Sequence, residues 1–135
     1  YEKGIEDFGL EKDENLRQFY EASLQEIPKM AEYLLELWKS GVRFEGIMTS
    51  DDELALGALK FAKLAGLKVP EQLSVIGYSN SMLATSGVLE LTSVDIKLEK
   101  VCQHLIGNLL RLFDGEEIPQ QAYFSGELIE RETTL

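Results

Sequence analysis

The sequence predicts an α/β fold with a parallel sheet, and two observations support this class. Segments with apolar residues at helical spacing alternate with short runs typical of strands. The run 73–78, "LSVIGY", is apolar almost throughout, as in a parallel strand that is covered on both faces. Because strands and helices alternate through short links, we expect right-handed parallel crossovers.

The chain begins with what we interpret as the end of a helix. Tyr1, Ile5 and Phe8 stand at i, i+4 and i+7, and a glycine follows as a stop signal. Since this pattern is under way at the first residue, which is not Met, we expect the chain to be a fragment of a longer protein. A short strand is then predicted over 16–20, and a helix from about 23 to 41.

Periodicity and stop signals predict the remaining elements. Strands are expected over 44–49, 73–78, 91–95 and 122–131. Helices are expected over 50–66 and 98–113, and Ser50 with Glu53 matches a capping box at the start of the first. The second helix should bury the apolar face formed by Leu98, Val101, Cys102, Leu105, Leu109 and Leu112.

Composition limits the classes of function that fit the chain. Its 135 residues suit one domain with one core, and 44% of them are apolar. The net charge is −11 and the 13 basic residues are scattered, whereas a duplex-binding surface needs clustered Lys and Arg. No apolar run approaches the ~18 residues that a membrane span needs. We therefore expect this chain by itself to bind neither DNA nor a membrane.

Three carboxylates, those of Asp51, Asp52 and Glu53, stand together at the start of a predicted helix. Acidic residues in a first helical turn stabilise the helix by ~0.3–1 kcal/mol each, which accounts for Asp52 and Glu53. A magnesium site of the response-regulator kind needs a third acidic residue after another strand and a lysine at a strand end, and we find neither. No nucleophile triad and no Gly-rich phosphate loop is visible. We therefore expect no enzyme activity, no metal and no cofactor.

Four segments of the sequence form a set of motifs in register. They are 51–58 "DDELALGA", 66–78 "GLKVPEQLSVIGY", 91–94 "LTSV" and 127–134 "ELIERETT". The set resembles the effector-binding half of the LacI/GalR family of bacterial transcription regulators. That family reads N-D-x-x-A-L-G-A, G-L-x-V-P-x-D-[IV]-S-V-[IV]-G-[FY], L-T-T-V and E-L-I-x-R-x-S-T at these places. The likeness covers almost the whole chain.

The resemblance implies a fold like that of the periplasmic sugar-binding proteins, in which two α/β lobes close on a small ligand. Residues 1–90 and 118–135 would form mainly the C-terminal lobe, with 1–8 near the lobe junction. Residues 91–117 would be an excursion whose strand and helix complete the N-terminal lobe. Both docking surfaces for this excursion would be missing from the fragment. Its apolar helix should therefore be covered in part by helix 1–8 and otherwise by the same segment of a second copy of the chain.

The resemblance also implies a role and partners. Binding of a sugar or sugar phosphate would shift the DNA affinity of a helix-turn-helix head that lies outside this chain. The protein would be a cytoplasmic homodimer that reaches operator DNA only through that head. A solute-binding protein of an ABC transporter shares the fold and stays open as an alternative.

Effector contacts implied by the resemblance lie mainly at the ends of strands. Asp51 stands where the family has Asn, and Ser79 stands where it usually has an effector-contacting Asp. Asn80, a donor and acceptor, would substitute for that Asp. Phe19 and Tyr20 lie near the aromatic position that stacks on the ligand in family members. The structural alternatives are core packing for the two aromatic residues and a simple turn for the two polar ones.

The resemblance further implies a two-fold contact through the C-terminal lobe. It would use the helix that begins near Asp52 and the loop that follows Ser79. The residues expected in this interface are Leu56, Leu59, Lys60, Lys63, Val88 and Leu89.

Overall fold

The computed structural model describes residues 2–16 and 27–135. The helices in these ranges are α1 (Glu2–Asp7), α2 (Ile27–Lys39), α3 (Asp52–Ala65) and α4 (Leu98–Phe113). The strands are β1 (Gly46–Met48), β2 (Ser74–Tyr78), β3 (Thr92–Asp95) and β4 (Glu127–Ile129). Short 3-10 helices lie at Glu14–Leu16 and Met82–Thr85. Among the described residues, no helix combines the length and apolar character needed to cross a membrane.

The strands form one sheet in the order β1–β2–β3–β4. The first three are parallel, with Ile47 opposite Val75 and Gly77 opposite Ser93. The last strand is antiparallel to β3. This mostly parallel arrangement confirms the predicted α/β class. The predicted strand over 16–20 and the predicted helix start near 23 lie outside the described residues, except for Leu16, which ends a 3-10 helix.

The position of β3 corrects one expectation. Its strand was expected to complete the sheet of another lobe, but it lies between β2 and β4 of this sheet. Long-range hydrogen bonds keep it there: the backbone N–H of Thr92 donates to Thr133 Oγ1 at 2.9 Å, and the Thr133 hydroxyl donates to the carbonyl of Val75 at 2.7 Å. The division of the chain between two lobes otherwise stays a prediction.

The core lies where α3 packs against β2 and where α2 packs against α3. The residues that α2 buries in this interface are Met30, Ala31 and Leu34, at the spacing of one helical face. At one end of this interface the rings of Trp38, Phe44 and Phe61 contact one another, with centroids 5.4 to 5.9 Å apart. Burial of such rings is a large favourable contribution to folding.

Helix α3 begins and ends with clear signals, although the expected capping box is wrong. Its N-cap is Asp51, whose Oδ1 accepts the backbone N–H of Leu54 at 2.8 Å, and not Ser50. The Asp51 carboxylate caps the helix in place of the Ser50 hydroxyl, because Asp51 is the residue with extended backbone just before the first helical turn. At the other end Gly66 has a left-handed φ of 71°, which closes the helix.

Helix α4 has the predicted bounds but not the predicted burial. None of its residues is buried, and Leu105 is 60% exposed. The segment 118–124 lies along one face, where Phe124 meets His104 edge-to-face at 5.4 Å. The apolar stripe was correctly located, but burial requires a packing partner, and this segment covers the stripe only partly.

Gly57 permits the close approach of α2 and α3. A Cβ at this position would lie 2.6 Å from Cβ of Met30. We predict that Gly57→Ala lowers the free energy of unfolding by about 1–3 kcal/mol, since overpacking outweighs the gain in helix propensity. Urea denaturation of the protein measures this change.

Gly107 supplies the matched control for that substitution. It also lies within a helix, but a Cβ there meets nothing within 4 Å. Gly107→Ala should leave stability unchanged or raise it by up to about 1 kcal/mol. Equal unfolding midpoints for Gly57→Ala and the wild type would contradict the packing argument.

Candidate functional site

Polar residues from three strands meet at one edge of the sheet. Asp51 and Asp52 follow β1, Ser79 to Ser81 follow β2, and Asp95 ends β3. Because these strands are parallel, their carboxyl ends lie side by side. Open α/β sheets bind ligands at this edge. The candidate site is therefore the strand-end region that these residues form.

The carboxylate of Asp52 is the centre of this region. It is 1% exposed and accepts hydrogen bonds on both oxygens. Oδ2 accepts the backbone N–H and the hydroxyl of Ser81 at 2.6 and 2.8 Å, and the hydroxyl of Ser79 at 3.5 Å. Oδ1 accepts the hydroxyl of Ser93 at 2.6 Å. Asp52, which we interpreted as a favourable first-turn charge, thus also links the turn after β2 and Ser93 of β3 to the start of α3.

The absence of a side chain at Gly77 makes room for that carboxylate. A Cβ on Gly77 would lie 2.3 Å from Asp52 Oδ1 and 2.8 Å from Cδ2 of Leu91. Neither neighbour is free to move, because Asp52 holds Ser93 and Leu91 is fully buried. Glycine in the middle of β2 is therefore required by close approach.

The turn after β2 has an unusual backbone. Ser79 and Asn80 both have positive φ angles, of 97° and 48°. Residues other than glycine rarely adopt this backbone conformation. Hydrogen bonds to β3 hold them there: the N–H of Ser79 donates to Val94 O at 2.9 Å, and the N–H of Asn80 donates to Ser93 Oγ at 3.0 Å. The surrounding contacts thus fix a conformation that would be unfavourable in isolation.

A second polar group joins the ends of β3 and β4. The ammonium of Lys97 lies 3.1 Å from Asp95 Oδ2 and also forms an ion pair with Glu127. The backbone N–H of Lys97 donates to Asp95 Oδ1 at 2.8 Å. This backbone bond and then the Lys97 ammonium lower the pKa of Asp95 below its usual value. Hydrogen bonds to Glu127 and Asp95 raise the pKa of Lys97.

These two polar groups flank an open groove of about 470 Å3. The residues that line it are Ser79, Asn80, Ser81, Asp95, Ile96, Lys97, Leu98, Glu99 and Lys100. The groove combines hydroxyl, amide and carboxylate groups with the apolar side chains of Ile96 and Leu98. Such a mixture suits a small polar ligand with some apolar surface.

The groove contains only part of the expected set of effector contacts. Ser79 and Asn80 line it, as expected. Asp51 lies at the predicted strand end, but its carboxylate caps α3 and is not among the lining groups. Phe19 and Tyr20 lie outside the described residues. All five assignments stay predictions as ligand contacts.

Three groups of this site were missed in the sequence. Asp95 ends the predicted strand 91–95 and Lys97 follows it, and this position at a strand end is the signal that points to both. Arg131 is the last residue of the predicted strand 122–131. No local pattern singles out Arg131, since its partner Asn80 lies 51 residues away in the sequence.

The described residues do not form a metal centre. Within ranges 2–16 and 27–135, no three His, Cys, Asp or Glu side chains are grouped so that they could hold a metal ion. The strand-end carboxylate Asp52 is already surrounded by hydroxyl and backbone donors. Its chemistry here is that of a hydrogen-bond acceptor.

Comparison with known proteins shows the class to which this fold and site belong. Residues 7–134 match the periplasmic binding protein-like domain family, and the chain belongs to that family. A helix-turn-helix-type transcriptional regulator of Lachnoclostridium phytofermentans is 36% identical over 134 residues, which is 99% of this chain and 39% of the regulator. The regulator AscG of Escherichia coli is 36% identical over 78% of this chain and 31% of its own length. These relatives confirm the resemblance to LacI/GalR regulators that the motifs indicated.

A solved structure agrees with the sequence relatives. A sugar-binding LacI-family regulator from Escherichia coli, in complex with phosphate, superposes with a TM-score of 0.86 at 31% identity. The match covers 100% of this chain and 48% of that one. The chain thus spans less than half the length of the proteins it resembles.

The buried carboxylate allows a direct test of the strand-end network. We predict that Asp52→Asn lowers the free energy of unfolding by about 1–3 kcal/mol. The amide nitrogen that replaces one carboxylate oxygen cannot accept a hydrogen bond, so the donors that bonded to that oxygen lose their acceptor. Thermal or urea unfolding measures the change.

Glu53→Gln is the matched control, since it makes the same chemical change one residue later on an exposed side chain. It should alter stability by no more than about 0.5 kcal/mol. If both variants unfold at the same midpoint, Asp52 does not hold the strand ends together.

Proposed function

We propose that this chain is the effector-sensing and dimerisation part of a LacI-type transcriptional regulator. The observation that supports it most directly is the groove at the carboxyl ends of β2 and β3, in a chain whose relatives are helix-turn-helix-type regulators. In the full-length cytoplasmic protein, a ligand bound here would shift the operator affinity of a separate head. The names of the relatives favour a regulator over an ABC-transporter component, and over an enzyme.

The groove chemistry favours a ligand rich in hydroxyl groups. A sugar hydroxyl both donates and accepts, and the lining provides acceptors at Asp95 and donors at Ser79 and Asn80. The cation of Lys97 is already paired with two carboxylates. These features support a neutral sugar as the effector, whereas Lys100, which also lines the groove, would suit a sugar phosphate. The related regulator from Escherichia coli was solved with phosphate.

Helix α4 supports the proposed two-lobe arrangement. It leaves the sheet at Lys97 and carries a row of exposed apolar residues, of which Ile106 and Phe113 are 59% and 78% exposed. An apolar face of this kind normally packs against something. In the full-length protein we propose a second lobe as its cover, whereas the isolated chain would self-associate through it.

The dimer contact would use α3 and the loop after β2. Lys60 and Lys63 are exposed, Leu56 and Leu59 are half-buried, and Leu59 also packs against the core. In the loop Val88 is fully exposed and Leu89 half-buried. An exposed valine beside other apolar loop residues supports a contact surface at this end of the molecule.

The sugar-binding proposal is tested on the full-length protein. Thermal shift with a panel of neutral sugars should identify a ligand, and calorimetry should then show much weaker binding to residues 1–135 alone, because one lobe encloses too little of the ligand. Ser79→Ala should weaken binding to the full-length protein about three- to tenfold by removing one hydroxyl contact.

Ser86→Ala is the matched control, since Ser86 lies in an exposed loop outside the groove lining. It should leave affinity unchanged. If sugars fail to bind the full-length protein, or if they bind the isolated chain equally well, the proposal of a two-lobe sugar sensor is wrong.

The dimer proposal is tested by introducing negative charges into the proposed interface. We predict that Val88→Glu combined with Leu56→Glu shifts the full-length protein from dimer to monomer in size-exclusion chromatography with light scattering, since two symmetry-related copies of each charge would be buried. Phe8→Glu, at an exposed residue outside this surface, should leave the dimer intact. An unchanged mass for the double variant would argue against this interface.

A further inference from the structure

Asn80 lies between the groove and the partly buried side chain of Arg131. Nη2 of Arg131 donates to Oδ1 of Asn80 at 2.7 Å, and the Arg131 side chain is only 14% exposed. A guanidinium group has donors but no acceptor. The Asn80 atom that faces it therefore has to be the carbonyl oxygen, and the amide nitrogen is left for partners on the groove side.

Several contacts fix Arg131 in this position. Its Nη1 donates to the carbonyl of Leu91 at 2.7 Å, and its backbone N–H donates to Thr92 Oγ1 at 2.8 Å. Its Nε lies 4.0 Å from the carboxylate of Glu90. The planar guanidinium thus joins the residues just before β3 to the turn after β2 and has little freedom to rotate.

The carboxylate of Asp95 lies within reach of the amide that Arg131 orients. After the larger effects of Lys97, a side-chain hydrogen bond from Asn80 also lowers the pKa of Asp95. The donor at Asn80 and the acceptor at Asp95 both line the groove. They come from the ends of adjacent parallel strands.

We infer that Arg131 is a positioning residue that sets the hydrogen-bond polarity of the groove. By occupying the carbonyl of Asn80, it keeps the amide N–H groups beside Asp95, so that the groove presents a donor next to an acceptor. This pair fits a neutral ligand with adjacent hydroxyl groups, of which one accepts from Asn80 and the other donates to Asp95. The inference about the ligand rests on the proposed sugar-sensing function, whereas the orientation of Asn80 does not.

The first experiment needs no ligand. Selective 15N-asparagine labelling of the full-length protein makes the side-chain signals of asparagines observable by NMR, and those of Asn80 are assigned as the signals that are lost in Asn80→Asp. Arg131→Met should accelerate exchange of the Asn80 amide protons about tenfold through loss of a charge-assisted hydrogen bond, and should raise the pKa of Asp95. Unchanged amide exchange together with an unchanged Asp95 pKa would overturn the inference.

Glu90→Gln is the control for that measurement. It removes the ionic neighbour of Arg131 without touching the contact to Asn80, so the Asn80 signals should stay as in the wild type. If Glu90→Gln alters Asn80 as strongly as Arg131→Met does, the effect comes from general loosening of the site and the inference is wrong.

The second experiment tests the donor at Asn80 with a variant that keeps the contact to Arg131, so that a loss of binding is not caused by unfolding. Asn80→Asp keeps an acceptor for Arg131 but replaces the groove-facing donor by an acceptor beside Asp95. The full-length variant should keep its unfolding midpoint and lose at least about tenfold in affinity for glucose, galactose or cellobiose, whichever of these neutral sugars binds the wild type. Full affinity in Asn80→Asp would overturn the inference even if Arg131→Met does not fold.

Different results would contradict the sugar-sensing function and the positioning role of Arg131. If none of the three sugars binds the wild type, the ligand assignment is wrong, and the amide and pKa measurements still decide the role of Arg131. If a sugar binds but Arg131→Met changes neither the Asn80 signals nor the affinity, the sugar-sensing function stands and the positioning role is wrong.

Discussion

The buried carboxylate of Asp52 is the interaction on which the rest of the site depends. It lies in the first turn of α3 and accepts hydrogen bonds from residues that follow β2 and from Ser93 within β3. A buried charge is tolerated only when donors surround it, and here hydroxyl and backbone donors do so. One side chain thus sets the relative positions of the strand ends. The left-handed turn at Ser79 and Asn80 and the floor of the groove follow from that arrangement.

Around this centre, the C-terminal segment completes the domain. Thr133 accepts from one strand and donates to the next, and Arg131 bonds to Asn80 and Leu91. The motif "ELIERETT" therefore contributes hydrogen bonds across the sheet edge rather than only a final strand. Its basic residue, Arg131, is engaged inside the domain.

Local signals in the sequence were sufficient for much of the fold and insufficient for the site. Period and stop signals located α2, α3, α4 and β2 within a few residues, because these elements depend on neighbours close in sequence. The burial of Asp52 depends on partners 29 and 41 residues away, so an acidic first turn was all that sequence reasoning recognised. The strand at 92–95 was expected outside this sheet because the resemblance implied another lobe for it. No local pattern corrects that expectation, since the buried Thr92 and Ser93 are held in this sheet by bonds to distant residues. The exposure of α4 shows the converse case, in which a correctly located apolar stripe is covered only in part, by segment 118–124, among the described residues.

The fit between Gly77 and Asp52 has a consequence for how this sequence is able to change over evolutionary time. A methyl group at position 77 would fall 2.3 Å from the carboxylate oxygen, so the two positions are not independent. A side chain at 77 becomes acceptable only after the group at 52 has become shorter and Leu91 has shifted, and a shorter group at 52 leaves the serine hydroxyls without their acceptor. A substitution at position 77 or at position 52 alone therefore gives a less stable protein. The order in which the two substitutions occur then decides which less stable intermediate is formed.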